Sequence, residues 1–299
     1  MTTKLEKMEQ DYLDRTMFES KLNANGIRAW KNIQKSTNRV SAILWLAPVL
    51  TYEWIILINP LDTNSKTFTE WSDASHEMFF YKIHRAIEIE VYPELQKVIQ
   101  LANDTPMSDE TSLLILDSVN SKLEFAVWKM GEMYRSFDKE AFSRFRSFFS
   151  GINFRLLDNE KYPGPSWASS CIFPTLDILL GIEKVAALSR HAHIVRPKIV
   201  WRWYTTIFDM ENASKWVVEN GNLYDRFSAK PDLVEKLDLL TNTLKKFRMN
   251  HQWNVKKYLP EVFTGVAWTG WANDVPEYLS SIIDNTKSRL TVQASQIAE

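Results

Sequence analysis

A few side chains in this sequence are chemically out of keeping with their neighbours. The first is His251, in the run 244–260, LKKFRMNHQWNVKKYLP. At helical period Leu244, Phe247, His251, Val255, Tyr258 and Leu259 share a face, and Lys245, Lys246, Lys256 and Lys257 fall mostly opposite. Arg248 comes one turn before the histidine, and Pro260 ends the helix. A buried histidine needs partners for two ring nitrogens. Two readings stand: a satisfied core residue, or an axial metal ligand. Haem iron suits the second, because a neutral imidazole on an apolar wall is what a haem pocket supplies.

Three further groups carry chemistry. Phe80, His84 and Glu88 recur every fourth residue, so they share a helix face. His84 there is either a boundary histidine paired with Glu88 or a polar group directed into a pocket. Arg146 follows Phe142 by one turn in a segment crowded with phenylalanines. It either snorkels past them or offers a planar fork to a carboxylate inside an aromatic site. Asp177 lies among leucines and isoleucines, where a charge wants a partner. His191 and His193 are two apart, which puts them on no common helix face.

Helices must position these groups. Only 8 Gly and 11 Pro interrupt 299 residues, and strand-like alternation is scarce. Amphipathic runs predict helices over 71–102, 112–137, about 174–189, 199–220, 231–259 and 276–295, and Asp138 caps another through Phe149. Pro93 is expected to kink or interrupt the first of these. Residues 151–170 form the longest irregular stretch and 262–273 a shorter loop. Two in the run 41–58, Pro48 and Glu53, favour a buried helix pair or interface segment over a membrane span. The polar 1–40 stretch carries no signal-peptide pattern. The fold class is all-α.

Composition excludes several functions. Net charge is −1, which leaves no electrostatic footprint for nucleic acid. The single cysteine, Cys171, rules out an internal disulfide and cysteine-based metal clusters, and it suits a reducing cytoplasm. Phosphate-binding loops, a dinucleotide fingerprint, a nucleophile elbow and an HExxH pair are absent. The load of 12 Trp, 16 Phe and 10 Tyr fills core and leaves some rings to line an aromatic ligand pocket.

Four blocks in order resemble the tryptophan 2,3-dioxygenase and indoleamine 2,3-dioxygenase superfamily: HEMFFYKIHRAIEIE, KEAFSRFRSFFSG, GPSWASSCIFPTLDILLGI, and FRMNHQWNVKKYL followed by a Thr-Gly loop and YLSSIIDNTKSRL. Together they span roughly residues 71–290. The resemblance implies a single large all-α haem domain over 71–299, with 1–70 a helical segment packed on it. It implies His251 as proximal ligand to haem b iron, with Asp177 and Arg248 a charged pair on that side. It implies Arg146 on the substrate carboxylate, Phe142 on its ring, and Ser166, Trp167, Thr269 and Gly270 around the substrate. His84 would be the distal base or hydrogen-bonding group. The loop Ala-Trp-Thr-Gly-Trp, with Trp268 and Trp271, departs from the family's glycine-rich run, and Trp167 replaces a small residue. The expected activity is a dioxygen-using, haem-dependent oxygenation of L-tryptophan or a close indole amino acid. The alternatives are hydroxylation or ring rearrangement of another aromatic amino acid, or non-catalytic binding of haem or an indole. Neither nucleic acid nor membrane is an expected partner, and the oligomeric state, a homo-oligomer included, stays open.

Overall fold

The structure is a computed structural model that describes residues 53–59, 67, 69, 71–103, 107–146, 152–154, 160–162, 170, 172–182, 201–260 and 275–297. After a π-helical turn, Glu53–Ile58, come α1 (Trp71–Asn103), α2 (Asp109–Ser136) and α3 (Lys139–Arg146). A hairpin, β1 (Ile152–Phe154) and β2 (Glu160–Tyr162), precedes α4 (Ile172–Leu180), α5 (Trp201–Asn220) and α6 (Leu223–Phe227). The last two are α7 (Pro231–Tyr258) and α8 (Val275–Ile297). The all-α expectation holds, with the hairpin as its only strands among the described residues. That hairpin lies in the stretch expected to be irregular, pairing Ile152 with Tyr162 in antiparallel register.

Of the kink or interruption expected at Pro93, the interruption does not occur: α1 runs through it as one helix. A proline removes one main-chain donor and leaves the carbonyl four residues back without it. Here Pro93 and Ile89 both face solvent, so water replaces the lost bond. The opposite face, with Ile83, Ile87, Val91, Leu95 and Val98, is buried.

The most extensive contact joins α2 to α7. They run parallel: Lys230 pairs with Asp109 just before α7 begins, Lys236 pairs with Asp117 one turn in, and Asn250 reaches Val127 further along. Leu116, Val119, Leu123 and Met130 of α2 and Leu237, Leu240 and Leu244 of α7 lie in one core cluster with no accessible surface. Each such side chain contributes about 1.5–3 kcal/mol by leaving water. Polar ends close the helices. Ser108 caps α2, Asp138 caps α3 by accepting from the Ala141 amide at 2.6 Å, and Pro231 starts α7. Gly181 ends α4 at φ +67°, where a Cβ would come within 2.6 Å of the Asn222 amide nitrogen, so only glycine fits. No helix among the described residues is long and apolar enough to cross a membrane. Ile55 and Ile56, from the apolar run 41–58, are instead buried in the core cluster.

Candidate haem and substrate site

Helices α1, α3, α4, α7 and α8 bring the polar groups together in two neighbourhoods. The first centres on His84, which is buried at 3% exposure on α1. Its Nδ1 lies 2.8 Å from the Phe80 carbonyl. A carbonyl only accepts, so Nδ1 carries the proton and Nε2 is the accepting nitrogen of the neutral ring. Burial pulls the His84 pKa down to about 3; the Phe80 carbonyl opposes this, and the charge His251 would carry adds to it. The two histidines therefore lie within electrostatic reach of one another, one on α1 and one on α7. Glu88 is buried rather than turned outward, and Nδ1 is oriented by the Phe80 carbonyl.

An aromatic wall adjoins His84. The Phe80 ring sits 4.0 Å from the imidazole, 5.7 Å from Phe142 and 5.7 Å from Phe145. Phe137 and Tyr258 complete the cluster around Phe142. Phe142 and Phe145 are buried and Arg146, at the end of α3, is half-buried. The short helix α3 packs on both α1 and α7, which sets Phe142 beside the His84 helix.

The second neighbourhood lies one turn before His251. The Arg248 guanidinium donates to the Asp177 carboxylate of α4 and, through its other terminal nitrogen, to the Thr286 hydroxyl of α8. Thr286 donates in turn to the Ile282 carbonyl at 2.6 Å, which leaves its oxygen oriented to accept from the arginine. All three side chains are buried, and Phe173 stacks on Phe247 at 4.2 Å beside them. Burial pushes the Asp177 carboxyl up, against the opposing pull of the Arg248 charge. Three helices are thus tied together next to His251. Its own pKa is pulled down to about 4 by burial, so the ring is neutral and suited to ligation.

The structure therefore brings His84 and Phe142 together around Phe80, with Arg146 one turn beyond Phe142 on α3, and sets Asp177 and Arg248 beside the turn of α7 that carries His251. Ser166, Trp167, Thr269 and Gly270 lie outside the described residues. Two partners escape sequence reading. Thr286 is an unremarkable threonine in YLSSIIDNTKSRL until α8 packs on α7. Glu77 is fully buried and accepts from the Thr69 amide at 2.8 Å, the Thr69 hydroxyl at 2.6 Å and the Tyr81 hydroxyl at 2.5 Å. Its place in the HEMFF motif was visible, but its partners were not.

The donor chemistry fits haem: a histidine on the apolar face of α7, a second, buried histidine on α1 near enough to feel its charge, and a wall of phenylalanine rings beside the second. No curated protein shows a match to the chain. The model of the indoleamine 2,3-dioxygenase family matches residues 28–261, most of the chain, in agreement with the helical architecture, and the chain belongs to that family of haem-dependent dioxygenases.

Proposed function

We propose that this protein is a haem-dependent oxygenase acting on L-tryptophan or a close indole amino acid, with haem b on His251. The observation that carries the reading is a buried histidine on α1, held by the Phe80 carbonyl, with a half-buried histidine on α7 close enough to influence its charge. The chemistry haem supplies when bound is the activation of dioxygen and delivery of its oxygen atoms to an electron-rich ring. The chain's own residues do the rest. Asp177 and Thr286 hold Arg248, and so fix the turn of α7 from which His251 projects. Arg146 receives the substrate carboxylate by a bidentate, charge-assisted contact. Phe80 and Phe142 form the apolar wall against which the substrate ring lies and from which water is excluded.

His84 helps choose between ring types. Its Nε2 is the accepting nitrogen of the ring, yet a pKa near 3 makes it a poor resting place for a proton. That suits an indole N–H, whose ring is already nucleophilic. It suits a phenol poorly, because phenol hydroxylation leans on a base matched to the hydroxyl proton. The substrate is therefore read as an indole. We also propose 71–299 as the haem-binding domain; the expected packing of 1–70 against it falls almost wholly outside the described residues.

The test is an absorption spectrum of protein produced with haem supply, taken before and after L-tryptophan and air are added. A histidine-ligated Soret band, absent from His251→Ala, and a spectral shift with L-tryptophan are expected. Tryptamine, lacking the carboxylate, is expected to bind about ten- to a hundredfold more weakly. A His251→Ala protein that keeps the native spectrum without added imidazole would end the ligand assignment. Equal binding of the two indoles would end the role of Arg146.

A further inference from the structure

Along the α2–α7 seam, side chains on α7 donate to main-chain oxygens of α2. The Asn250 amide donates to the Val127 carbonyl at 3.1 Å and the Asn254 amide to the Met130 carbonyl at 3.0 Å. The Tyr258 hydroxyl is shared among the carbonyls of Met133 and Tyr134, each at 3.0 Å, and Phe137 at 3.2 Å. These positions recur every fourth residue, on the face of α7 adjoining that of His251. The last carbonyls of a helix run short of partners within it. At the end of α2 the Met133 carbonyl accepts from the Phe137 amide and the Tyr134 carbonyl from Lys257, and Tyr258 joins both in closing that end. Burial, with the neighbouring Tyr134 and Asp138, pushes its phenol up to about 12, so it remains a donor.

The Tyr258 ring also reaches forward. It packs edge-on against Phe137 at 5.4 Å and against Phe142 at 5.9 Å. Phe137 is the joint between α2 and α3, followed at once by the Asp138 cap. The helix that carries His251 thus grips the point from which the helix of Phe142 and Arg146 departs.

We propose that Tyr258 is a positioning residue: it fixes the orientation of α3, and with it Arg146, relative to the α7 helix that bears His251. The inference rests on the substrate role of Arg146 proposed above. Tyr258 acts through the α2–α3 joint and touches neither haem nor substrate.

Tyr258→Phe keeps the ring and deletes the donor, and it is studied in the full-length, haem-loaded protein. Amide hydrogen exchange over residues 141–146 is expected to quicken about five- to tenfold, while residues 240–247 of α7 stay unchanged. The spectroscopic Kd for L-tryptophan is expected to rise by about the same factor, with haem content normal and kcat at saturation within about twofold. Unchanged exchange in α3, or unchanged Kd beside quickened exchange, overturns the proposal. So does a variant that loses haem or loosens uniformly, because that marks a general structural role. Arg146→Ala separates the two readings. If it leaves L-tryptophan affinity untouched, the substrate role of Arg146 falls, and the coupling proposal built on it falls too, whereas exchange in α3 still reports whether Tyr258 holds that helix. If Arg146→Ala weakens binding and Tyr258→Phe does not, the Tyr258 proposal alone fails.

Discussion

At the scale of single residues, His84 and the Arg248 cluster do different work. His84 is held by the Phe80 carbonyl with Nε2 as its accepting nitrogen, and in the proposed reaction its low basicity would suit it to steadying an N–H more than to removing a proton. His84→Ser should therefore keep measurable turnover of an indole substrate, with haem still bound. General-base help is usually worth about 10²–10⁴-fold, so complete loss of activity toward every indole tested would point to a phenol substrate instead. Arg248 and Asp177 form a buried pair, and removing one partner strands the other charge. Asp177→Ala should cost about 3–5 kcal/mol in urea unfolding and weaken haem retention. A change within about 0.5 kcal/mol, as at a surface site, would show that Arg248 finds all the compensation it needs in Thr286. Both members of this pair were legible in the sequence, because each is a charge on an otherwise apolar helix face. Thr286 was not legible, since a threonine hydroxyl is satisfied equally well by its own helix; only the packing of α8 on α7 shows that it also accepts from Arg248.

At the scale of elements, the helices themselves were the easiest part to read. The spacing of Ile83, Ile87, Val91 and Leu95 states the buried face of α1, and 244–259 states that of α7. Of the kink or interruption expected at Pro93, the interruption does not occur, because the proline faces solvent, where water can satisfy the carbonyl left without its donor. The five-residue α6 was overlooked, although Asn222 and Asp225 spell its capping box. Its length is too short for periodicity to register. How α1 is anchored depends on tertiary contacts. Glu77 draws Thr69, from the chain entering α1, onto the first turns of that helix, with the Tyr81 hydroxyl on its other oxygen. His84 lies two turns further along the same helix. Glu77→Gln exchanges one accepting oxygen for a donor and leaves a buried Thr69 or Tyr81 donor facing it. Hydrogen bonds to charged groups contribute about 1.5–3 kcal/mol each, so chemical denaturation should show a loss of at least that size. A midpoint shift under about 0.5 kcal/mol would mean that the entering chain is held by other contacts.

At the scale of the whole molecule, enclosing two neutral histidines ties stability to pH. The His84 pKa falls from its ordinary 6.5 to about 3 and that of His251 to about 4, both through burial. Between those values and about 6.5 the unfolded chain binds protons that the folded chain refuses, so stability falls as pH falls through this window and is fully present above it. Each fully excluded proton changes stability by up to about 1.4 kcal/mol per pH unit. His251, whose residue is half-buried where His84 is buried, contributes less than His84. Ligation of His251 adds to the trend, because iron binds only the neutral ring. Asp177 is pushed up by burial, so its carboxyl takes up a proton in the folded chain before it does in the unfolded one as the pH drops, which opposes the histidines, and the total slope is not a count of histidines. The contribution of His84 is isolated by difference. Native protein and His84→Gln are unfolded in urea at steps from pH 7 to 4.5. The native protein should lose stability more steeply below about pH 6.5, with the gap between the two curves narrowing by close to one proton's worth per unit. Parallel curves across the window would mean that His84 is protonated in the folded state, and would remove the basis for treating it as a hydrogen-bond acceptor toward the substrate.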